Sequence, residues 1–541
     1  MIKMGPNSTA HRPDFFLFGT FLTLLAITLF GCGDSSSTAS GFVITVGSVG
    51  MASGKVTGMF AIYGKEGSPV PPTLPGVADK SFGTDGVAVF ETKAEIEAKA
   101  LAVQHDGRLL VAGDLVSEET GLSGAIIMAF TESGVRDTSF GEDGLIAFVD
   151  PAMEIKAVDL AVQEDGRILL LLNAGDSLIV VARYTLDGMV DPGFGDEGLV
   201  VLGTNKFGLK AGAVAIQPNQ EIVLVATAKD LQDPTVPSLF AGFRRDKKGY
   251  ADEGFELFWG LGTDLVANAL TIQPDGKIVV VGSSLTPEYL GYAQYRGLPD
   301  GSPDPSFESG VLYDKKNPQI TFKGKAVALQ ADGKILISGE SSDASNGEKS
   351  LFVARQLENG VTDDPFGTLP WQTGGLGAIV IRPEGRDSFG RAIGVQKDKK
   401  ILTLGTTTDI ITNREVAFIS RLDKYGVLDI LFGKESVYQL SDPSLNITAA
   451  DMALQDNDMA VAAATGSDPA SGRHAFLICR VLTGGLQSFT VQNNTDNPVF
   501  AKVSEDGTWS AELSRIEPGL LYLRAVYEGE AVESWVNVPL Q

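Results

Sequence analysis

Apolar and polar residues alternate along this chain in short bursts, and the bursts recur. Seven times an apolar residue is followed by Gln and, two places after the Gln, by Asp or Asn. The glutamines are Gln104, Gln163, Gln217, Gln273, Gln330, Gln396 and Gln455, spaced by 59, 54, 56, 57, 66 and 59 residues. The residue before each Gln is apolar: Val103, Val162, Ile216, Ile272, Leu329, Val395 and Leu454. So is the residue three before it: Leu101, Leu160, Val214, Leu270, Val327, Ile393 and Met452. Between them stands a small residue, Ala102 in the first copy and Gly394 in the sixth. A period of two predicts a strand. A small residue on its other face predicts that something packs very close there. A near-constant period of this length predicts an array of one supersecondary unit.

The residues after each Gln predict a hairpin. Asp-Gly follows in Asp106-Gly107, Asp165-Gly166, Asp275-Gly276 and Asp332-Gly333, a pair that tolerates positive φ. Gln220, Lys399 and Asp458 replace the Gly in the other copies, so less regular turns are expected there. A nearly all-apolar run comes next, such as Ile278-Val279-Val280-Val281-Gly282, and reads as a strand buried on both faces. A third strand carries Arg183, Arg244, Arg296, Arg355, Arg421 or Arg480, with Ala129 in the first copy. Eight residues after the first five of these stand Asp191, Asp252, Asp304, Asp363 and Asp429, each followed three residues later by Phe. A structural Arg–Asp pair that pins a turn fits better than a ligand site, because active sites are not repeated six times.

The two ends of the array are unmatched. Arg480 has Ser488 where the Asp should be, while Asp79 and Phe82 precede the first Gln with no Arg ahead of them. Joined, the two halves close a ring. The strand after Phe82, about residues 86–90, would then complete the last repeat and hide its edge. Four strands per repeat and seven repeats predict an all-β fold, a seven-bladed β-propeller. Asp304-Pro305-Ser306-Phe307, with the run from Ile272-Gln273-Pro274-Asp275-Gly276 to Gly282, resembles the delta-60 repeat family of bacterial propeller proteins over roughly residues 78–484. That resemblance implies the propeller fold and no particular reaction. Asp252-Glu253-Gly254-Phe255-Glu256 departs from it in lacking Gly after Phe.

The flanks differ in pattern. Lys3, His11 and Arg12 precede an apolar run from Phe15 to Phe30, as in an export signal. Leu29-Phe30-Gly31-Cys32 resembles the lipobox of bacterial lipoproteins, which implies lipidation at Cys32; an uncleaved membrane anchor is the alternative. Residues 1–31 are read as the signal, 32–41 as a Ser-rich tether and 42–77 as a β segment with a Pro-rich linker. Residues 78–485 are the propeller. Residues 486–541 resemble small Ig-like or carboxypeptidase-regulatory-like β-sandwiches, and 42–64 is expected to join them. The expected address is the cell envelope, lipid-anchored, with the outer membrane favoured by Gly33 after the Cys.

Charge and chemistry narrow the function. A net charge of −25 disfavours nucleic-acid binding, which needs clustered Lys and Arg. The three His (His11, His105, His474) provide no His-rich zinc site. No triad context, phosphate-binding loop or calcium-loop pattern is present. No catalytic, cofactor or metal residue is assigned. The longest irregular stretch, 367–391, holds Trp371, Gln372, Arg382 and Arg386 as the candidate binding loop. The expected function is non-catalytic binding or scaffolding at the envelope, through a protein or glycan partner. A hydrolase or lyase in the central funnel, and a carbohydrate-binding surface through Trp509 or Trp535, are the alternatives.

Overall fold

The computed structural model describes residues 75–117, 120–255, 257–286, 290–312, 319–367, 377–434 and 436–484. Outside that span it describes the backbone of strands 39–50, 55–64, 69–70, 486–493, 499–500, 502–503, 508–512, 519–527 and 530–538. The chain divides into two units, Leu74–Gly485 and the combined flanks Met1–Thr73 with Leu486–Gln541.

The larger unit contains seven four-stranded antiparallel sheets. In the first, Glu95–Val103, Leu109–Val116, Ser123–Phe130 and Leu145–Val149 pair in chain order. Five more sheets repeat this order, beginning at Ile155–Val162, Phe207–Ile216, Leu265–Ile272, Ile320–Leu329 and Ser388–Val395. The seventh takes Asn446–Leu454, Ala460–Asp468 and Arg473–Val481 and borrows Val87–Thr92 as its outer strand. First strands of successive sheets touch in an unbroken cycle that returns from the seventh to the first. They form an inner ring from which the sheets radiate, so the unit is a seven-bladed β-propeller. The borrowed strand lies one or two residues later than the 86–90 read from sequence, with Phe90 opposite Phe476.

The core lies between blades. The second strands are buried on both faces, Ile278–Ser284 throughout its length, because each faces an apolar neighbour on either side. Leu110, Ile127 and Phe140 of blade 1 pack with Leu170, Leu172 and Ala182 of blade 2, and the other clusters likewise join adjacent blades. Each innermost strand carries one bulge, at Lys99, Val158, Gly212, Asn268, Lys325, Arg391 and Ala450, always five residues before the Gln. A bulge bends its strand and re-aims a side chain.

Two expectations change. The hairpin turns at Gln220, Lys399 and Asp458 are as regular as the others. These residues sit at φ 68, 71 and 69, against 85 at Gly107, and their N–H groups donate to the Gln carbonyls at 2.8–2.9 Å. The Asp or Asn is not the left-handed residue. Its side chain accepts from the N–H two residues on, in all seven copies, and holds the turn. The stretch 367–391 is not one irregular loop either. It contains the outer strand Ala378–Ile381, a single 3-10 turn Pro383–Gly385 and the start of Ser388–Val395.

In the other unit, Ala39–Gly50, Lys55–Gly64, Thr508–Glu512 and Lys502–Val503 form one sheet, with Pro69–Val70 beside Lys55–Gly64. Lys55 to Met59 pair antiparallel with Glu512 to Thr508, so the two flanks share this sheet. Val499–Phe500, Leu486–Asn493, Gly519–Tyr527 and Glu530–Val538 form a second sheet. Pro69, within the stretch read as linker, lies in a short edge strand, the place in a sheet where Pro is tolerated.

Candidate functional site

Innermost strands end at the Gln residues, so their hairpins gather around one end of the axis. Six of the seven line a cavity of about 1190 Å³. Its rim carries His105, Glu164, Pro218, Pro274, Ala331 and Lys397, the residue after Gln in each copy. Its wall carries Val162, Ile216, Ile272, Leu329 and Val395, the residue before Gln. The repeat thus places one variable residue from each of six blades on the rim over an apolar wall.

Gln side chains tie parts of that ring together. Gln104 and Gln217 are buried, and each donates to a turn carbonyl of the next blade, Gly166 and Gly276, at 3.0 Å. The oxygens of Gln163, Gln217, Gln273 and Gln330 accept from third-strand arginines at 3.3–3.4 Å. Arg296 donates through Nε to Asp304 at 2.9 Å and through Nη1 to Gln273 at 3.3 Å and to the Glu358 carbonyl of the next blade. Its guanidinium stands 4.5 Å from the ring centre of Phe307. Arg183, Arg244, Arg355 and Arg421 repeat these contacts with Asp191, Asp252, Asp363 and Asp429. Each also donates to a carbonyl one blade on, Lys247, Pro299, Lys424 and Thr483 respectively. Arg480 donates to Asp79 at 2.7 Å and to the Glu132 carbonyl of blade 1, across the point of closure. Burial pushes Asp79 up, but its bonds from Ser81 and the Arg480 charge outweigh that and hold its carboxyl below the usual range.

Blade 1 solves its missing Arg differently. Arg108, from the hairpin, reaches Asp137 at 2.7 Å, Gln104 at 3.4 Å and the Leu186 carbonyl at 2.8 Å. The same bolt is made from the hairpin instead of the third strand. The sequence reading missed this exchange, though Ala129 and the extra Arg were both visible.

A second layer was also missed. Ten residues after each Gln, within the apolar second strand, stands a polar residue: Asp114, Asn173, Thr227, Ser283, Glu340, Thr406 or Thr465. Five of them accept from an innermost-strand N–H of the next blade, for instance Asp114 from Ala157 at 2.7 Å and Thr465 from Ala98 at 2.8 Å. Their constant offset was the available signal.

Two carboxylates share this layer. Asp159 accepts from Leu160 N at 2.8 Å and from Val214 N of the next blade at 2.9 Å. Asp451 does the same with Met452 N at 2.8 Å and Leu101 N at 2.9 Å. Each is half-buried on an innermost strand. Burial pushes Asp159 up to about 7 and Asp451 up to about 6, with the Asp451 charge adding to the rise at Asp159.

The candidate loop is dispersed. Arg382 pairs with Glu348 at 2.5 Å and borders a smaller cavity of about 600 Å³ with Pro383, Leu428 and Lys434. Arg386 is exposed. Trp371, Gln372 and Cys32 lie outside the described residues, as do the side chains of Trp509 and Trp535. His105 is exposed on the rim, and His474, placed before a strand by the sequence, lies within Arg473–Val481. Cys479 is buried, which pushes its thiol up to about 12 and makes it a poor nucleophile. Among the described residues no three His, Cys, Asp or Glu side chains gather.

A family model described as "Domain of unknown function (DUF5122) beta-propeller" matches residues 273–291 and 330–366. The match is to a propeller. Both matched segments open on a repeated Gln, at the start of the hairpins of blades 4 and 5. No curated protein matches the chain. Among solved structures it is similar to oligopeptidase B from Leishmania major, at 12% identity and a TM-score of 0.37, over 81% of this chain and 54% of that one. It is similar to a calcium-binding protein, regucalcin, from Agrobacterium tumefaciens, at 11% identity and a TM-score of 0.33, over 60% of this chain and 90% of that one. A third is the α-L-arabinofuranosidase of Fusarium graminearum, at 9% identity and a TM-score of 0.36, over 76% of this chain and 97% of that one. The chain spans about half of the oligopeptidase (54%).

Proposed function

We propose that this chain is a non-catalytic binding scaffold of the cell envelope, a delta-60 repeat propeller exported by residues 1–31 and anchored by lipid on Cys32, with a small β-sandwich made by its flanks. The observation that supports binding at the axis is the cavity of about 1190 Å³, whose rim varies from blade to blade while the wall beneath stays apolar. Variation on an invariant frame is how a repeat scaffold acquires a partner. An envelope protein or a glycan suits a rim that mixes Pro218, Pro274 and Ala331 with Glu164 and Lys397.

The test is crosslinking pull-down from intact envelopes, with the Pro274→Glu/Ala331→Glu rim variant and the Arg386→Ala loop variant alongside. A partner captured by the wild type and by Arg386→Ala, and lost from the rim variant, is expected. Capture unaffected by the rim variant overturns the axial reading, and a Cys32→Ser chain that stays with the membranes overturns the anchor.

The funnel hydrolase or lyase has one observation on its side, the innermost-strand carboxylates Asp159 and Asp451 with pKa values raised to about 7 and about 6. Both oxygens of each already accept backbone amides, which favours a structural role. Turnover of a glycan that disappears in Asp451→Asn would favour the enzyme.

A further inference from the structure

The bulge residues form a ring of their own, five residues along the innermost strands from the Gln, or about 16 Å at ~3.3 Å per residue. The polar members of this ring are partnered, with one exception. Lys99 meets Glu97 at 2.5 Å and Asp114 at 3.6 Å. Asn268 donates to Ser283 Oγ at 3.1 Å and to the Gly324 carbonyl of the next blade at 2.8 Å. Arg391 meets Glu340 at 3.4 Å. Lys325 is half-buried and makes no ion pair or side-chain hydrogen bond among the described residues.

The charges that act on Lys325 are Glu340, Arg391 and Lys323. Glu340 is already engaged by Arg391, and Lys323 faces Glu340 across the blade 5 ladder. Three cations therefore stand against one carboxylate, inside a chain whose net charge is −25. Desolvation, with Arg391 and Lys323 adding repulsion, depresses the Lys325 ammonium despite the Glu340 charge. A half-buried ammonium without a protein partner has lost part of its water and keeps donors free for a counter-charge.

We propose that the blade 5–blade 6 side of the axial channel binds a small doubly charged oxyanion, a phosphate or a dicarboxylate, held by Lys325 and Arg391 with Lys323 beside them. An oxyanion matches the excess of two positive charges and offers acceptors to a guanidinium fork and a compact ammonium together. A monovalent ion would leave one charge unanswered. This site is separate from the hairpin-lined mouth and does not depend on the scaffold reading.

Calorimetric titration of the purified chain at low ionic strength, with inorganic phosphate and with succinate in separate arms, tests it. Binding of one probe is expected, and the responding arm assigns the class. Affinity is expected to fall at least about tenfold in Lys325→Met, the loss of one charged hydrogen bond, and to hold in Lys99→Met. Thermal unfolding guards against misfolding: without anion, Lys325→Met should melt at or above the wild type, and only the wild type should gain from the anion. No heat from either probe, equal binding by Lys325→Met, equal loss in Lys99→Met, or a lower melting point of anion-free Lys325→Met would each overturn the proposal.

Discussion

Single residues here do more than their type suggests. Asp159 caps backbone amides of two blades while its pKa stands near 7, against 3.8 for a free Asp. Between those values the folded chain keeps a proton that the unfolded chain releases, so this group lowers stability as pH rises from about 4 to about 7. The whole effect is on the order of 2–4 kcal/mol. Replacing Asp159 by Asn removes the titration. Denaturant midpoints measured from pH 4 to pH 7 should fall more steeply for the wild type than for Asp159→Asn, and parallel curves would show that the carboxylate ionises freely. The sequence displayed Asp159 and Asp451 only as breaks in an otherwise small-residue position. Their burial depends on neighbouring blades, which no local pattern reports. Arg108 teaches the same lesson: its partner Asp137 lies 29 residues away, beyond the reach of a local pattern.

At the scale of the element, the hairpin after each Gln shows how much local chemistry decides. The Asp or Asn bond to the N–H two residues on fixes the turn, whatever residue must go left-handed. Lys399 bears that strain at φ 71. A left-handed non-Gly residue costs about 1–2 kcal/mol, partly offset by the chain entropy of Gly. Lys399→Gly should therefore stabilise the propeller by about 0.5–1 kcal/mol in urea unfolding, and a loss of stability would mean that the Lys399 side chain makes a contact of greater worth. The hairpins, the apolar second strands and the third strands were legible because period two and Asp-Gly are local signals. The outer strands were least legible. Ala378–Ile381 has four residues, too few for a period to declare itself, and so passed for loop.

Across the whole molecule, closure rests on residues far apart in sequence. Asp79 and Arg480 are separated by 401 positions and meet at 2.7 Å. Removing one partner of such a buried pair costs about 3–5 kcal/mol. The loss should fall first on Val87–Thr92, the outer strand of the last blade, whose only covalent link to the ring is through blade 1. Hydrogen exchange should show that strand losing protection in Asp79→Ala while it stays protected in Asp304→Ala, which breaks an internal pair. Equal protection in both variants would place the latch elsewhere. A freed strand also exposes the edge of Arg473–Val481, so Asp79→Ala is the variant expected to associate.

Period, turn chemistry and two unmatched half-motifs determined from sequence alone that seven like units exist and that the ends must meet. Those are properties of neighbours along the chain, together with a count. Tertiary structure decided what repeated glutamines such as Gln104 and Gln217 are for, because their partners are turn carbonyls of the next blade. It decided that the variable residue after six of the seven glutamines lies on one rim, and that Lys325 lacks the counter-charge that Lys99 has at the equivalent bulge. Each of these depends on which blades stand side by side and how much water reaches between them, and burial and pairing of that kind are set by the closed ring as a whole.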